Sequence, residues 1–156
     1  MEELLTKGDI PTFQPSQGML SYLAGLIDGE GTILVEFENR NENYHFVPKV
    51  QITNTSFKLL HTIQEVFGGK LNLGTKSSTK WSQGYTLCWR GLDAIKLLKM
   101  LDGKFLLKDI HCKLLKDFPI NKKGEKSRLL PEKVLLRRKI HLALKMLNKK
   151  GPKNGK

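Results

Sequence analysis

Residues 22–37, YLAGLIDGEGTILVEF, change their periodicity with no linker in between. Met19, Leu20, Leu23, Leu26 and Ile27 recur at helical spacing, and Ser16 stands where an N-cap belongs, so a helix is expected over residues 16–29. Ile33, Val35 and Phe37 then alternate with Thr32 and Glu36, the period of a strand with one buried face. At the joint stands Asp28-Gly29-Glu30-Gly31. It sets two carboxylates one glycine apart in a chain whose formal net charge is +12.

The remaining elements follow from the same rules. Residues 38–43, ENRNEN, read as a turn-rich connection. Residues 44–54 alternate, with Tyr44, Phe46, Val50 and Ile52 on one face and His45, Lys49, Gln51 and Thr53 on the other. Pro48 has no N–H to give a ladder, which argues for an edge position or a bulge. A helix over 56–67 turns Phe57, Leu60, Ile63 and Phe67 inward and ends at Gly68. Residues 70–73 and 85–90 form a hairpin, with Leu71, Leu73, Tyr85, Leu87 and Trp89 toward the core. Further helices are expected over 92–101, stopped by Gly103, over 105–118, and from Pro131 to about residue 148. Residues 1–15 read as an irregular arm and 150–156 as a basic disordered tail, leaving one domain over 16–149.

Two hairpins with helices on one face make an α+β domain built on an antiparallel sheet. The other face then carries Thr32, Glu36, His45, Lys49, Gln51, Thr53, Lys70, Asn72 and Thr86. That pattern suits ordinary solvated alternation and equally a ribbon reading base edges in a DNA groove.

Charge is distributed unevenly. Residues 1–69 hold four Lys/Arg against nine Asp/Glu, a net of −5, while residues 70–156 hold 23 against six, a net of +17. Such asymmetry points to a polyanion partner, although lysine-rich helices can also be simply well solvated. No run is long enough to span a membrane, and the first residues lack the apolar core of a secretory signal. Cys88 and Cys112 lie outside any CxxC pair and read as reduced core thiols, which fits an intracellular protein.

The first helix carries a second stripe, Ser21, Gly25 and Gly29, with Ala24 beside it. Glycine inside a helix costs about 1 kcal/mol relative to alanine, so the stripe implies a need for room. The room serves either a second helix crossing closely or the chain's own sheet. Two such helices side by side would bring two Asp-Gly-Glu ends together, each disfavoured by its helix macrodipole. Divalent cations would relieve the repulsion, and carboxylates with backbone carbonyls are the oxygen ligands that Mg²⁺ prefers.

Leu23-Ala24-Gly25-Leu26-Ile27-Asp28-Gly29-Glu30-Gly31 resembles the motif of the LAGLIDADG homing endonucleases, matching all of its first six letters and its closing glycine. The element order is similar to that family's αββαββα fold over roughly residues 16–118, with extra C-terminal helices. The resemblance implies a saddle-shaped sheet on double-stranded DNA, a dimer interface along the motif helices, and double-strand cleavage with Mg²⁺; Mn²⁺ is an alternative, as is Ca²⁺ in complexes that do not cleave. It implies Glu30 as the catalytic carboxylate, where the family more often has Asp, and a Gly29 carbonyl offered to metal. Asp28, with Ser21, Ala24 and Gly25, falls at the implied interface. Asn54 resembles the residue that orders the attacking water, and Lys108 resembles the basic residue near the metal. Lys58 is a further candidate, and Lys108 could equally be one more solvated lysine.

A single motif implies a homodimer on a near-palindromic target. The resemblance makes an intron-encoded DNA endonuclease the leading expectation. An RNA-binding intron maturase and a non-catalytic DNA-binding protein are the alternatives, so intron RNA stands beside DNA as a candidate partner.

Overall fold

Helix α1, Gln17–Glu30, is started by Ser16, whose extended backbone lets its Oγ accept from the Met19 amide at 3.2 Å. The computed structural model describes residues 14–40, 43–74, 82–120 and 131–149; the expected tail and all but the last two residues of the expected arm lie outside them. After α1 come β1 (Gly31–Arg40), β2 (Asn43–Asn54), α2 (Phe57–Phe67), β3 (Lys70–Leu73) and β4 (Tyr85–Arg90). Helices α3 (Leu92–Leu101), α4 (Asp109–Leu115) and α5 (Pro131–Leu147) complete the order. The strands form one antiparallel sheet in the order β1-β2-β4-β3. The core joins Leu23 and Ile27 of α1 to Ile33, Ile52 and Leu87 of the sheet and to Leu60 and Leu97 of the covering helices. This is the α+β architecture the periodicities predict.

The helix–strand joint depends on Gly31. A Cβ there would stand 2.7 Å from the Ile27 Cα and 2.9 Å from the Ile27 carbonyl oxygen, which the Gly31 amide uses as its acceptor. The backbone φ of −89° is open to any residue, so close approach alone demands glycine.

Several expectations need correction. Most of the turn-rich connection expected over 38–43 is strand: Glu38 pairs with His45 and Arg40 with Asn43, and residues 41 and 42 lie outside the described ones. The Phe37 and Phe46 rings meet at 5.2 Å, and this cross-strand packing outweighs the weak strand preference of Asn and Glu. Leu73 is 65% exposed at the end of β3 and is no part of the core.

Pro48 lies in a central strand, yet its local setting behaves as an edge. The ladder to β4 begins at Lys49 with Arg90, one residue further on. The Pro48 carbonyl accepts from the Gly91 amide at 2.8 Å, and the Gly91 carbonyl, which would have taken a Pro48 N–H, accepts from Ile95 in the first turn of α3. The missing donor therefore leaves no carbonyl unsatisfied.

The free edge of β1 is closed from α5. His141 Nδ1 donates to the Val35 carbonyl at 2.8 Å, and Asn148 Nδ2, just past the helix, donates to the Ile33 carbonyl at 2.9 Å. His111 Nε2 donates to Asn148 Oδ1 at 3.1 Å, tying α4 to the same edge.

The Gly31 contact yields a prediction. Gly31→Ala should lower stability by about 1–3 kcal/mol, as overpacking does. Thermal unfolding measures it, and an unchanged midpoint would show that β1 can step away from Ile27 at no cost.

Candidate active site

The last turn of α1 delivers Asp28, Gly29 and Glu30 to different surroundings. Glu30 is exposed, and its Oε2 accepts from Asn54 Nδ2 at 2.7 Å. Asn54 ends β2, and its Oδ1 accepts from the Ser56 amide at 2.7 Å as the chain enters α2. That second bond fixes which end of the Asn54 amide faces Glu30. Two residues that the motif resemblance singles out, 24 positions apart, are thus in contact.

Asp28 faces inward instead. Its carboxylate accepts from the amides of Leu106, Leu107 and Lys108 at 2.8, 3.2 and 2.9 Å. Helix α4 consequently begins at Asp109, and the helix expected over 105–118 is shorter than its pattern implies. Residues 106–108 give their amides to a side chain rather than to helical carbonyls. The electrostatics also change: Asp28 sits at the C-terminal end of α1, which disfavours it, but against the N-terminal end of α4, which favours it. Its charge is met inside the chain, while that of Glu30 is left at the surface.

Lys108 completes the clasp. Its Nζ donates to the Asp28 carbonyl at 2.6 Å, which brings an ammonium to the turn that bears Glu30. Burial lowers the Lys108 pKa from the usual lysine value, and the Asp28 charge pulls it partly back. Lys58 is exposed at the start of α2 and lines a groove with Ser16, Met19 and Tyr22; no hydrogen bond joins it to Glu30. Among the described residues no three His, Cys, Asp or Glu side chains gather into a metal cluster.

The small-residue stripe is divided by the fold. Ala24 is fully buried in the chain's own core and offers a partner no surface. Ser21, Gly25 and Gly29 are exposed, and a Cβ built at either glycine meets nothing within 4 Å. The stripe therefore does not pack on the chain's own sheet, which removes one of the two readings of its spacing. Asp28 is spent on Leu106 to Lys108. The side chains of Leu106 and Leu107 are 91% and 74% exposed.

All nine expected sheet residues share the face opposite the core. Thr32, Gln51, Cys88 and Lys70 form one row across the four strands, and Thr53, Thr86 and Asn72 form another. Thr53 and Thr86 join through their hydroxyls at 3.0 Å. Glu36 Oε1 accepts from Lys49 Nζ at 2.6 Å, while His45 stands exposed beyond them toward the hairpin tip. Sequence reasoning missed Glu38 and Arg90. Arg90 Nη2 donates to Glu38 and forms an ion pair with Glu36 Oε2 at 2.8 Å. Their parity with Glu36 and Thr86 was available as a signal.

No family model matches the sequence, and no curated protein does. Solved structures do match. The homing endonuclease I-CvuI, in complex with its target in the presence of Ca, aligns at TM-score 0.69 with 18% identity, over 89% of this chain and 87% of that one. The archaeal intron-encoded homing endonuclease I-Vdi141I, complexed with DNA, aligns at 0.60 with 15% identity, over 88% of each chain. The LAGLIDADG homing endonuclease I-GzeII, in complex with its DNA target, aligns at 0.50 with 21% identity, over 64% of this chain and 34% of that one. The chain has the LAGLIDADG homing endonuclease fold. Within that fold the motif helix is α1, and Glu30 lies where it meets the first strand.

Asp28 holds the LAGLIDADG motif to α4, and this can be tested. Asp28→Asn leaves one carbonyl oxygen for three amides and removes the charge they face. Stability should fall by about 1–3 kcal/mol in urea unfolding, with faster amide exchange at residues 106–108. Unchanged exchange there would show that these amides do not depend on Asp28.

Proposed function

We propose that the chain is a homodimeric, site-specific endonuclease that makes metal-dependent double-strand breaks in a long, near-palindromic DNA target. The observation that carries this reading is the exposed Glu30 carboxylate, held by Asn54 at the end of an open Ser21-Gly25-Gly29 stripe. The fold shared with I-CvuI and I-Vdi141I, both described as complexes with DNA, supports the choice of substrate.

The donor chemistry fits a hard divalent cation in part. Glu30 would hold it through its carboxylate and Gly29 through its carbonyl, with phosphate oxygens completing an all-oxygen shell. One chain supplies a single surface carboxylate here, so a second copy bringing its own Glu30 suits the need for two acids. Once bound, Mg²⁺ would supply the charge that favours water ionisation and leaving-group departure. The chain's own residues do the rest. Asn54 orients Glu30 and keeps amide hydrogens near the attacking side. Lys108 places a positive charge beside the phosphate that is cut. The outer sheet face lies along the DNA, while Leu106, Leu107 and the glycine stripe meet the second copy.

Two predictions follow the two halves of this reading. Gly25→Val should convert the dimer to monomer in sedimentation, since overpacking typically costs about 1–3 kcal/mol on each side of a crossing. Folding of the monomer should persist, because a Cβ at Gly25 meets nothing within 4 Å beyond its own stretch of helix. A dimer that survives Gly25→Val would place the interface elsewhere.

Glu30→Gln should cut DNA on the order of 100-fold more slowly, or not at all, with DNA affinity near normal. Its thermal midpoint should hold or rise slightly, since an acid at a helix C-terminus is worth about 0.3–1 kcal/mol against the helix. Retained Mg²⁺-dependent cutting would sink the catalytic assignment. Tight binding of structured RNA, with no DNA species cut under any divalent metal, would favour the maturase reading.

A further inference from the structure

The acids on the outer sheet face are unexpected in a surface meant for DNA. Glu36 and Glu38 stand on one side of β1, and Lys49 and Arg90 face each other across β2 and β4. Glu36 takes Lys49 on one oxygen and Arg90 on the other, and Glu38 takes Arg90 as well. Lys70 and Asp93 line the same concavity, so three cations and three carboxylates sum to zero and the spot has no net attraction for phosphates. A quartet buried in the fold would be a plain ion-pair network. This one lines an open concavity with Lys70, Asn72 and Thr86, and Arg90 remains 43% exposed.

Arg90 turns Nη2 to both acids, donating to Glu38 and pairing with Glu36, while Nη1 and Nε have no acceptor among the described residues. Lys49 spends one ammonium hydrogen on Glu36 and keeps two. Each Glu36 oxygen takes one cation and retains a further lone pair. The concavity thus offers adjacent donors flanked by acceptors. In the major groove a G·C pair presents two acceptors on guanine and one donor on cytosine, the complementary pattern; an A·T pair presents an acceptor, a donor, an acceptor and a methyl group.

We propose that Glu36, Glu38, Lys49 and Arg90 form one base-reading unit selective for a G·C pair, with Arg90 as the specificity-determining residue and the two glutamates as its positioning residues. The inference rests on the DNA-cleaving reading above and extends it to a base. The acids serve twice: they hold the guanidinium in one place, and they repel phosphates, so that it reads a base edge. In a homodimer the same pair is read once in each half-site.

The test is selection of duplexes from a randomised DNA library by the full chain without divalent metal, followed by sequencing. The wild type should enrich sites with a G·C pair fixed at one position per half-site. Arg90→Gln should release that position alone, with preference falling roughly 5- to 150-fold, the range of one good base contact. Arg90→Lys keeps the ion pairs and the fold and should lose much of the same preference. Glu38→Gln should blur the position while raising affinity for random DNA. The proposal is overturned if Arg90→Gln and Arg90→Lys leave every position unchanged, or weaken all sequences alike as a phosphate contact would. A wild type that binds no duplex at all would instead bring down the endonuclease reading, and this inference with it.

Discussion

Three backbone amides accepted by one carboxylate organise the site. Asp28 lies at the end of α1, where its own helix disfavours a negative charge. It is kept there by Leu106, Leu107 and Lys108, whose amides have no helical partners at the start of α4. Gly29 and Glu30 continue the turn that Asp28 anchors and are exposed. Lys108 is oriented by the same contact, since its amide and its ammonium both reach Asp28. A charge that its own helix end disfavours is thereby held by the opposite kind of helix end.

The sheet is arranged to present one face and to lose as little as possible elsewhere. Gly31 lets β1 leave α1 at van der Waals contact with Ile27, which sets the sheet directly against the motif helix. Pro48 ends the β2–β4 ladder where α3 begins, and the carbonyl it leaves free is used by that helix. His141 and Asn148 satisfy the edge carbonyls of β1. Among the described residues no helix covers the polar face opposite the core. Its rows of Thr, Gln, Asn, Lys and Arg are the side chains that DNA groove reading requires.

Charge is used locally rather than wholesale. The excess of the second half reaches the outer sheet face through Lys70 and Arg90, while Lys96, Lys99, Arg138 and Lys145 are exposed on helices α3 and α5. At the centre of the face Glu36 and Glu38 cancel Lys49 and Arg90. On the proposed reading, long-range attraction and base reading fall to different parts of the molecule, since steering depends on net charge and selectivity on hydrogen-bond geometry.

The sequence by itself determined the helix–strand joint, the alternating faces and the residues of the motif, because each is written in local periodicity. It placed all nine outward sheet residues on one face and marked Glu30, Asn54 and Lys108. It also left the glycine stripe with two readings and set a helix at 105–118 that is half as long. Only the tertiary structure decided these. Whether Ala24 or Gly25 meets a partner depends on how α1 is rotated on the sheet, which a repeat of small residues does not state. Where α4 starts depends on a carboxylate some 80 residues earlier taking its first amides. The Arg90 quartet exists because β4 pairs with β2, and strand order is a property of the whole core rather than of any window of the chain.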